Sequence, residues 1–393
     1  MSLNLDKSTW TRVSFGDVVN NVNQTVRDAK AAGIDRIIAM EHMDRSELKI
    51  QRWGDADDGT TFTRRVTPGQ TLFGKRRAYQ RKVAYAEFDA ICSGDIYTFE
   101  ADEAQLLPEF LPFLVQSNEF FDHALDTSAG SLSPRTNWRD LANFEFDLPP
   151  LEEQKRIASL LWAVEHHRRA LAAHLKSETE ALRQLLRTRF EDAVGEVFKV
   201  ADLCSSVVGG IWGLPEGKNE VDVLALGPRV YAADATVLSA AGSPIRSITR
   251  KQADSRLIRE GDIILERSGG SPKQPVGRVV IAGNALQSCI PTDFQRLLRP
   301  DTDLVEPTYL FWRLRLDWLE GLTRNYSRRT TNITNLAVPD YLARQIIVPP
   351  REEQMRMLGD VKTLEMALND RALEMASFES VRSALAADIF GDN

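Results

Sequence analysis

Two stretches decide the fold: LPPLEEQKRI at residues 148–157 and VPPREEQMRM at residues 348–357. They are offset by 200 residues, the difference between 348 and 148. The correspondence continues without a gap to Phe190 and Phe390. A repeat of this length is the first architectural signal in a chain, because equivalent segments fold in equivalent ways. The sequence therefore predicts a duplicated molecule.

Each copy predicts a long helix. Proline lacks a backbone N–H and suits a helix entrance, and the Glu-Glu pair that follows favours the positive end of the helix dipole. Apolar residues then recur at steps of four and three, and this narrow stripe is typical of a coiled-coil seam. Because no Pro or Gly interrupts residues 151–194, we expect one helix of about 60 Å at ~1.5 Å per residue. The second copy contains one glycine, Gly359. The alternative to a coiled coil is that both copies form ordinary amphipathic core helices.

The order of segments predicts how the helices pair. The first helix leads away from the region before residue 148, and a new folded region begins near Phe198. The second helix starts where that region ends, so it packs on the first only by running back. We predict an α+β fold with two similar globular domains separated by two long antiparallel helices, a pseudo-two-fold repeat. The expected segments are residues 1–147, 148–196, 197–347 and 348–393.

Composition limits the class of protein. Hydrophobic content of 43% and charged content of 27% are typical of a soluble globular protein. No signal peptide or membrane span is expected, and three scattered cysteines predict no disulfide framework, so the expected location is the cytoplasm. The formal charge of −7 argues against a general nucleic-acid binder. Residues 1–147 carry 17 basic and 23 acidic side chains, whereas residues 198–348 carry 19 and 16, so any nucleic-acid surface must be local.

The two globular regions have the same predicted order of elements. In the first region we predict strands within 34–40, 66–73, 82–85 and 90–99. Each region then ends with a Pro-led helix, at 108–125 and at 307–322, followed by a polar loop before the Pro-Pro pair. This order predicts one fold with two different sets of loops.

The loops are rich in residues that suit DNA. Arg and Lys can bond guanine or phosphate, Asn can bond adenine, and Ser and Thr position phosphates. The alternative is that a run such as Lys75–Lys82 is a solvated hairpin tip. The candidate DNA-binding residues are Lys75, Arg76, Arg77, Tyr79, Arg81, Lys82, Arg135, Asn137, Arg139, Arg267, Ser268, Lys273, Arg278, Arg324, Tyr326, Arg328, Arg329, Thr331 and Asn332.

Motifs for catalysis are missing from the sequence. The Pro149-Pro150 pair lacks the polar and aromatic neighbours of an adenine-methylation motif, and no phosphate-binding loop follows a strand. His166, His167 and His174 lie on the first predicted helix, where a solvated or partner-facing surface is expected instead of a metal site. Asp262 and Glu266 flank a strand without the pattern of a nuclease site. We predict no catalytic residue, no metal ligand and no cofactor in this chain.

With its doubled Pro-Pro-x-Glu-Glu-Gln motif, the chain resembles the DNA-specificity subunits of type I restriction-modification systems. Phrases such as GSLSPRTNW at 130–138 and LFGKRRAY at 72–79 are similar to recurrent phrases of that family. The resemblance implies two target-recognition domains, each reading half of a split double-stranded DNA site, with the helices setting the spacer. It also implies a role in host defence, two adenine-methylating modification subunits that bind S-adenosylmethionine, and restriction and translocase subunits that use ATP and Mg. Two other classes stay open: a DNA-processing nuclease with a cryptic site, and a coiled-coil interaction scaffold.

Overall fold

The computed structural model describes residues 5–130, 133–231, 236–270, 274–284, 287–329 and 333–391. They divide into two compact units. The first unit consists of Met1–Ala173 and Ala372–Asn393, and the second of His174–Arg371. Within the described residues, no helix is long and apolar enough to cross a membrane.

The first unit contains short strands, short helices and the start of a long helix. Its strands are β1 Thr11–Ser14, β2 Val19–Val22, β3 Arg36–Ile38, β4 Gly54–Asp55, β5 Arg64–Val66, β6 Thr71–Gly74, β7 Val83–Tyr85, β8 Ala90–Cys92, β9 Ile96–Ala101 and β10 Glu145–Leu148. Its helices are α1 Phe15–Val18, α2 Leu111–Gln116, α3 Asn118–Asp126, α4 Trp138–Ala142 and α5 Leu151–Glu191, the last of which continues into the second unit. Short 3-10 turns lie at Lys7–Thr9, Met40–His42, Ala56–Asp58 and Ala78–Gln80.

The second unit follows the same plan. Its strands are β11 Glu196–Lys199, β12 Cys204–Gly209, β13 Leu214–Pro215, β14 Val221–Leu226, β15 Ile245–Ile248, β16 Ile263–Glu266, β17 Ser268–Gly269, β18 Val279–Ile281, β19 Cys289–Pro291, β20 Gln295–Pro300, β21 Ser327–Arg329, β22 Thr334–Leu336 and β23 Gln345–Val348. Its helices are α6 Arg250–Arg256, α7 Pro307–Leu319, α8 Val338–Leu342 and α9 Arg351–Phe390, the last of which continues into the first unit. Short 3-10 turns lie at Val200–Leu203, Pro228–Tyr231 and Leu322–Tyr326.

The four-stranded antiparallel sheets of the two units correspond strand by strand. The order β2-β9-β6-β7 in the first unit matches β12-β20-β16-β18 in the second. Each unit also has a mixed sheet, in which β3 pairs parallel with β8 and β14 pairs parallel with β19. A separate antiparallel pair, β1 with β10 and β11 with β23, precedes each long helix. The predicted α+β class and internal repeat are confirmed.

The repeated Pro-Pro-x-Glu-Glu-Gln motif fixes the start of each long helix through its glutamine. The Gln154 side chain is buried, and its Oε1 accepts a hydrogen bond from the Leu107 N–H at 2.9 Å, while Nε2 donates to the Pro149 carbonyl at 2.8 Å. Gln354 repeats this pattern with the Glu306 N–H and the Pro349 carbonyl. A buried amide must satisfy its donors and acceptors, so these bonds set the direction in which each helix leaves its domain.

The long helices pair antiparallel within each unit. In the first unit, Arg168 of α5 lies 3.9 Å from Glu379 of α9, and the rings of His167 and Phe378 are in tilted contact, with centroids 4.8 Å apart. In the second unit, Arg371 contacts Glu178 at 3.3 Å, and Arg189 contacts Asp360 at 2.6 Å. In the second unit, the contacting residue on α9 changes from 371 to 360 as the residue on α5 changes from 178 to 189, which is the signature of antiparallel helices. This prediction is also confirmed.

Two predicted strands are wrong in their extent. The strand expected at 66–73 is divided by a turn at Pro68 and Gly69, because proline has no N–H for the ladder and Gly69 has a φ of +90°. The strand expected at 90–99 is divided at Ser93, whose carbonyl accepts the Ile96 N–H at 3.0 Å. The chain therefore turns from one sheet into the next at each point.

The helix predicted at 108–125 is also divided. Ser117 is extended, with φ −63° and ψ 159°, and its Oγ accepts a hydrogen bond from the Phe120 N–H. This N-cap ends α2 and begins α3, because a serine hydroxyl satisfies a free N–H of a new first turn. The second-unit counterpart α7 runs unbroken to Leu319 and is followed by Gly321 with a φ of +75°.

Candidate nucleic-acid interface

The first unit brings its two predicted basic loops into contact. Arg76 forms an antiparallel bridge with Arg135, and Arg135 forms another with Ala129. The Thr136 N–H donates to the Lys75 carbonyl at 3.0 Å, which ties the loop after β6 to the loop before α4. We call this arrangement of residues 75–77, 129 and 133–136 the first platform.

The second unit contains an equivalent arrangement. β17 pairs with β22, and β22 pairs with β21, so Asn335 lies between Ser268 and Arg328. The Leu336 N–H donates to the Arg267 carbonyl at 2.8 Å. We call residues 267–269, 327–329 and 334–336 the second platform. Loops that are far apart in the sequence thus meet at one place in each unit.

Backbone hydrogen bonds align the two platforms residue by residue. The Lys75 N–H donates to the Asp95 carbonyl, and the Arg267 N–H donates to the Phe294 carbonyl. The strand pairs Gly74 with Ile96 and Glu266 with Gln295 extend the same register. The equivalent positions are therefore Gly74 and Glu266, Lys75 and Arg267, Arg76 and Ser268, Asp95 and Phe294, Tyr97 and Arg296, and Arg135 and Asn335.

In the first platform a carboxylate compensates several cations. Asp95 lies 3.4 Å from Arg76 and 3.2 Å from Arg135, and the Lys75 ammonium lies 4.8 Å from the centre of the Tyr97 ring. Burial lowers the pKa of Lys75, and the positive charges of Arg64 and Arg135 lower it further, whereas Asp95 opposes this effect. A local basic surface therefore exists in a region whose overall charge is negative.

The second platform is built differently. The Ser268 Oγ donates to Asn335 Oδ1 at 2.5 Å, and the Arg267 guanidinium reaches the Asp293 carbonyl at 3.5 Å. The Arg328 side chain is 80% exposed and lies 3.5 Å from Asp340. Phe294 is 43% exposed at the position that Asp95 occupies in the first unit.

Three candidate residues make extensive contacts within their own unit. Arg81 donates to the Ser117 carbonyl at 3.3 Å and to Asn118 at 2.7 Å, at the break between α2 and α3. Lys82 donates to the Met40 carbonyl at 2.5 Å. Arg278 forms a buried ion pair with Glu266 at 2.7 Å. These side chains stabilise the fold, and their role in DNA binding stays a prediction.

The other candidates divide by exposure. Tyr326 is half-buried against Tyr341, with ring centroids 5.6 Å apart. Lys273, Thr331 and Asn332 lie outside the described residues. The exposed side chains are Arg77, Tyr79, Asn137, Arg139, Arg324 and Arg329.

Sequence reasoning missed two arginines. Arg64 donates to the Ile96 carbonyl at 3.0 Å and lies 5.9 Å from the Tyr97 ring, beside the first platform. Arg296 lies on β20 next to Arg267, and burial followed by the charge of Arg267 lowers the pKa of Arg296. Both arginines lie on strands, so only the tertiary pairing of strands brings them close to the loops. In the sequence, the basic pair Arg64-Arg65 was the only pattern that could have indicated Arg64.

The acidic residues considered for catalysis are paired with arginines. Asp262 lies 2.7 Å from Arg299, and Glu266 is paired with Arg278 as described above. In the described part of the chain, no group of three or more His, Cys, Asp or Glu side chains is arranged to hold a metal ion.

Comparison with known proteins gives matches in sequence. Residues 8–181 match the family of type I restriction modification DNA specificity domains. The type I restriction enzyme EcoDI specificity subunit of Escherichia coli is 32% identical over 102 residues, or 26% of this chain. That match spans 22% of the length of the relative.

Solved structures share the fold over nearly the whole chain. One belongs to work on complex assembly and conformational transition of the type I restriction-modification system; its TM-score is 0.56 at 20% identity, over 98% of this chain and 99% of that one. The type I restriction-modification S subunit from M. genitalium gives 0.60 at 13% identity, over 100% and 99%. The molecule is thus a duplicated α+β protein with the fold of such S subunits. The sequence match to a type I restriction modification DNA specificity domain covers residues 8–181, and the fold of the solved S subunits extends over nearly the whole chain.

Proposed function

We propose that this chain is a non-catalytic, sequence-specific DNA-recognition subunit that reads a bipartite target, one half with each platform. The observation that carries the proposal is the pair of equivalent platforms with different side chains. Each combines two loops on one backbone frame, and each presents arginines together with other polar groups. A duplicated frame with divergent side chains suits a protein that reads two different sequences.

The exposed platform cations are the proposed DNA contacts. Arg77 and Arg135 in the first unit, and Arg328 and Arg329 in the second, have exposed side chains that can reach guanine edges or phosphates. Asn137 can bond adenine, and its exposed amide donates to Asp140 at 3.3 Å. We propose that the neighbouring backbone and hydroxyl groups position phosphates.

Catalysis is assigned to partners. The sequence match is to a specificity domain, which supports a chain that positions enzymes and does not cut or methylate DNA. We propose as partners two adenine-N6 modification subunits that bind S-adenosylmethionine, and restriction and translocase subunits that use ATP and Mg, acting together in the cytoplasm. Exposed side chains on α5, including His166 and His167, are candidates for the modification-subunit contact.

Mapping of N6-methyladenine tests the proposal. A strain that expresses the chain with its modification subunits should methylate adenines in two short sequences separated by a fixed, unread spacer. A matched strain without the chain should lack these marks. Metal-dependent cleavage by the purified chain alone would instead support a nuclease, and a complex that binds no DNA would support a scaffold.

A further inference from the structure

A cleft of about 710 Å³ lies beside the second platform. Leu336, Val338 and Pro339 line its apolar wall, and Lys199, Arg267 and Arg296 contribute cationic side chains. Asp202 adds one carboxylate to the lining. The cationic side chains therefore exceed the acidic ones by two, in a concave site large enough for a phosphate group.

Arg296 is the unusual member of this lining. It lies on β20 opposite Gly209, and its guanidinium folds back over that glycine. In the described part of the chain it donates to the Gln295 carbonyl at 2.9 Å and forms no ion pair with a carboxylate. A guanidinium has five N–H donors, so most of its donors remain available to a ligand.

The surroundings of Arg296 raise the energetic cost of its charge. Burial lowers its pKa, and the positive charge of Arg267 lowers it further, with Asp293 in opposition. Two guanidinium groups held near each other in a partly buried place repel one another unless an anion joins them. An arginine pair of this kind suits the paired oxygens of a phosphate.

The first unit provides an internal comparison. At the position of Arg296 it has Tyr97, whose hydroxyl donates to the Thr136 carbonyl at 3.2 Å. At the position of Phe294 it has Asp95, which pairs with Arg76 and Arg135. The first unit thus supplies its own anion at this place, whereas the second unit supplies an additional cation.

We propose that Arg267 and Arg296 clamp a phosphodiester group of the DNA backbone in this cleft, with Lys199 at its rim. The identification of the anion as DNA rests on the proposed function. The contact positions the duplex against the second platform and carries no sequence information, because a phosphate is common to all nucleotides.

The test uses the chain assembled with its modification subunits and compares Arg296→Ala with Arg296→Lys. Binding is measured as a function of salt concentration. One duplex contains the target sequence that methylation mapping identifies, and the other is a scrambled duplex of the same length. Arg296→Ala should weaken binding to both duplexes by similar factors and reduce the slope of log affinity against log salt by about 1. Arg296→Lys keeps the charge and should retain most of the slope. The charge-matched control is Arg250→Ala, because Arg250 is exposed on α6 and does not line the cleft.

The outcomes separate the cleft from the wider proposal. An unchanged salt slope in Arg296→Ala overturns the phosphate clamp, and so does an equal loss of slope in the Ala and Lys variants. In both cases the parent complex still prefers its target sequence, so the proposed function stands. A loss confined to the target duplex also overturns it, because that result requires contact with a base. If the parent complex shows no preference for its target, the proposed function itself fails.

Discussion

The two platforms share a backbone frame and differ in how their charges are compensated. In the first, Arg76 and Arg135 face each other and share Asp95. In the second, Ser268 and Asn335 form a neutral hydrogen bond at the same place. Main-chain hydrogen bonds therefore hold the frame in both units, so the side chains can change without loss of the fold.

The largest expected effect concerns a residue at the base of the second platform. Glu266, 1% exposed, is paired with Arg278, while the equivalent position in the first unit is Gly74. Arg278→Ala leaves a buried carboxylate without its partner and should lower the free energy of unfolding of the second unit by about 3–5 kcal/mol. Urea unfolding measures this change.

Removal of both charges is the control for Arg278. Glu266→Met with Arg278→Leu should cost less than Arg278→Ala alone, because no unpaired charge remains. If Arg278→Ala keeps full stability but loses DNA affinity, Arg278 acts as a direct DNA contact, as its sequence position predicts.

Arg278 also illustrates the limit of sequence reasoning. Its place in a basic, Gly-rich stretch predicts a surface contact. In the structure, its guanidinium forms an ion pair with the buried Glu266, twelve residues away in the sequence. Arg81 is similar, because its guanidinium satisfies carbonyls where α2 ends. Charge and spacing identify which loops are basic, whereas tertiary pairing decides which cations remain available.

The helices were more predictable than the sheets. The spacing of apolar residues and the Pro-Pro entrance give α5 and α9, which run from Leu151 to Glu191 and from Arg351 to Phe390. Periodicity depends on local sequence and survives in the fold. The pairing of Arg76 with Arg135, and of Ser268 with Asn335, joins residues far apart in the chain and leaves no local pattern.

Substitution of one exposed arginine in each platform should affect one half of the target. Arg135→Ala and Arg328→Ala should each weaken binding of the assembled complex by about 5- to 150-fold if the side chain bonds a base edge. Duplexes with base changes in one half at a time give the measurement, and unfolding curves serve as the control. Unchanged affinity in both variants would remove these side chains from the interface.

A reciprocal change tests the charge difference directly. Asp95→Asn removes the carboxylate from the first platform, and Phe294→Asp introduces one at the equivalent place in the second. Since one partly exposed charge contributes on the order of 1 kcal/mol or less, Asp95→Asn should strengthen binding to a scrambled duplex by about two- to fivefold. Phe294→Asp should weaken it by a similar factor.

Phe294→Asn is the neutral control for this pair. It removes the exposed ring without adding charge, so any loss shared by Phe294→Asn and Phe294→Asp reflects the ring. Changes of the same sign in Asp95→Asn and Phe294→Asp would contradict the idea that charge compensation distinguishes the platforms.

The smallest expected effect is a change in thermal stability from substitutions at equivalent positions of the two long helices. Gly359 lies within α9, and a Cβ added there meets no atom within 4 Å, so Gly359→Ala should stabilise the helix by about 1 kcal/mol. The equivalent residue of α5 is Ser159, and Ser159→Ala should contribute less because serine is already a better helix former than glycine. Thermal unfolding should show a rise in melting temperature of roughly 2–4 °C for Gly359→Ala.

The outcomes of Gly359→Ala have different meanings. If the melting temperature rises but assembly with the modification subunits becomes weaker, the glycine allows a close contact with a partner. If neither changes, α9 is not a continuous helix at this position.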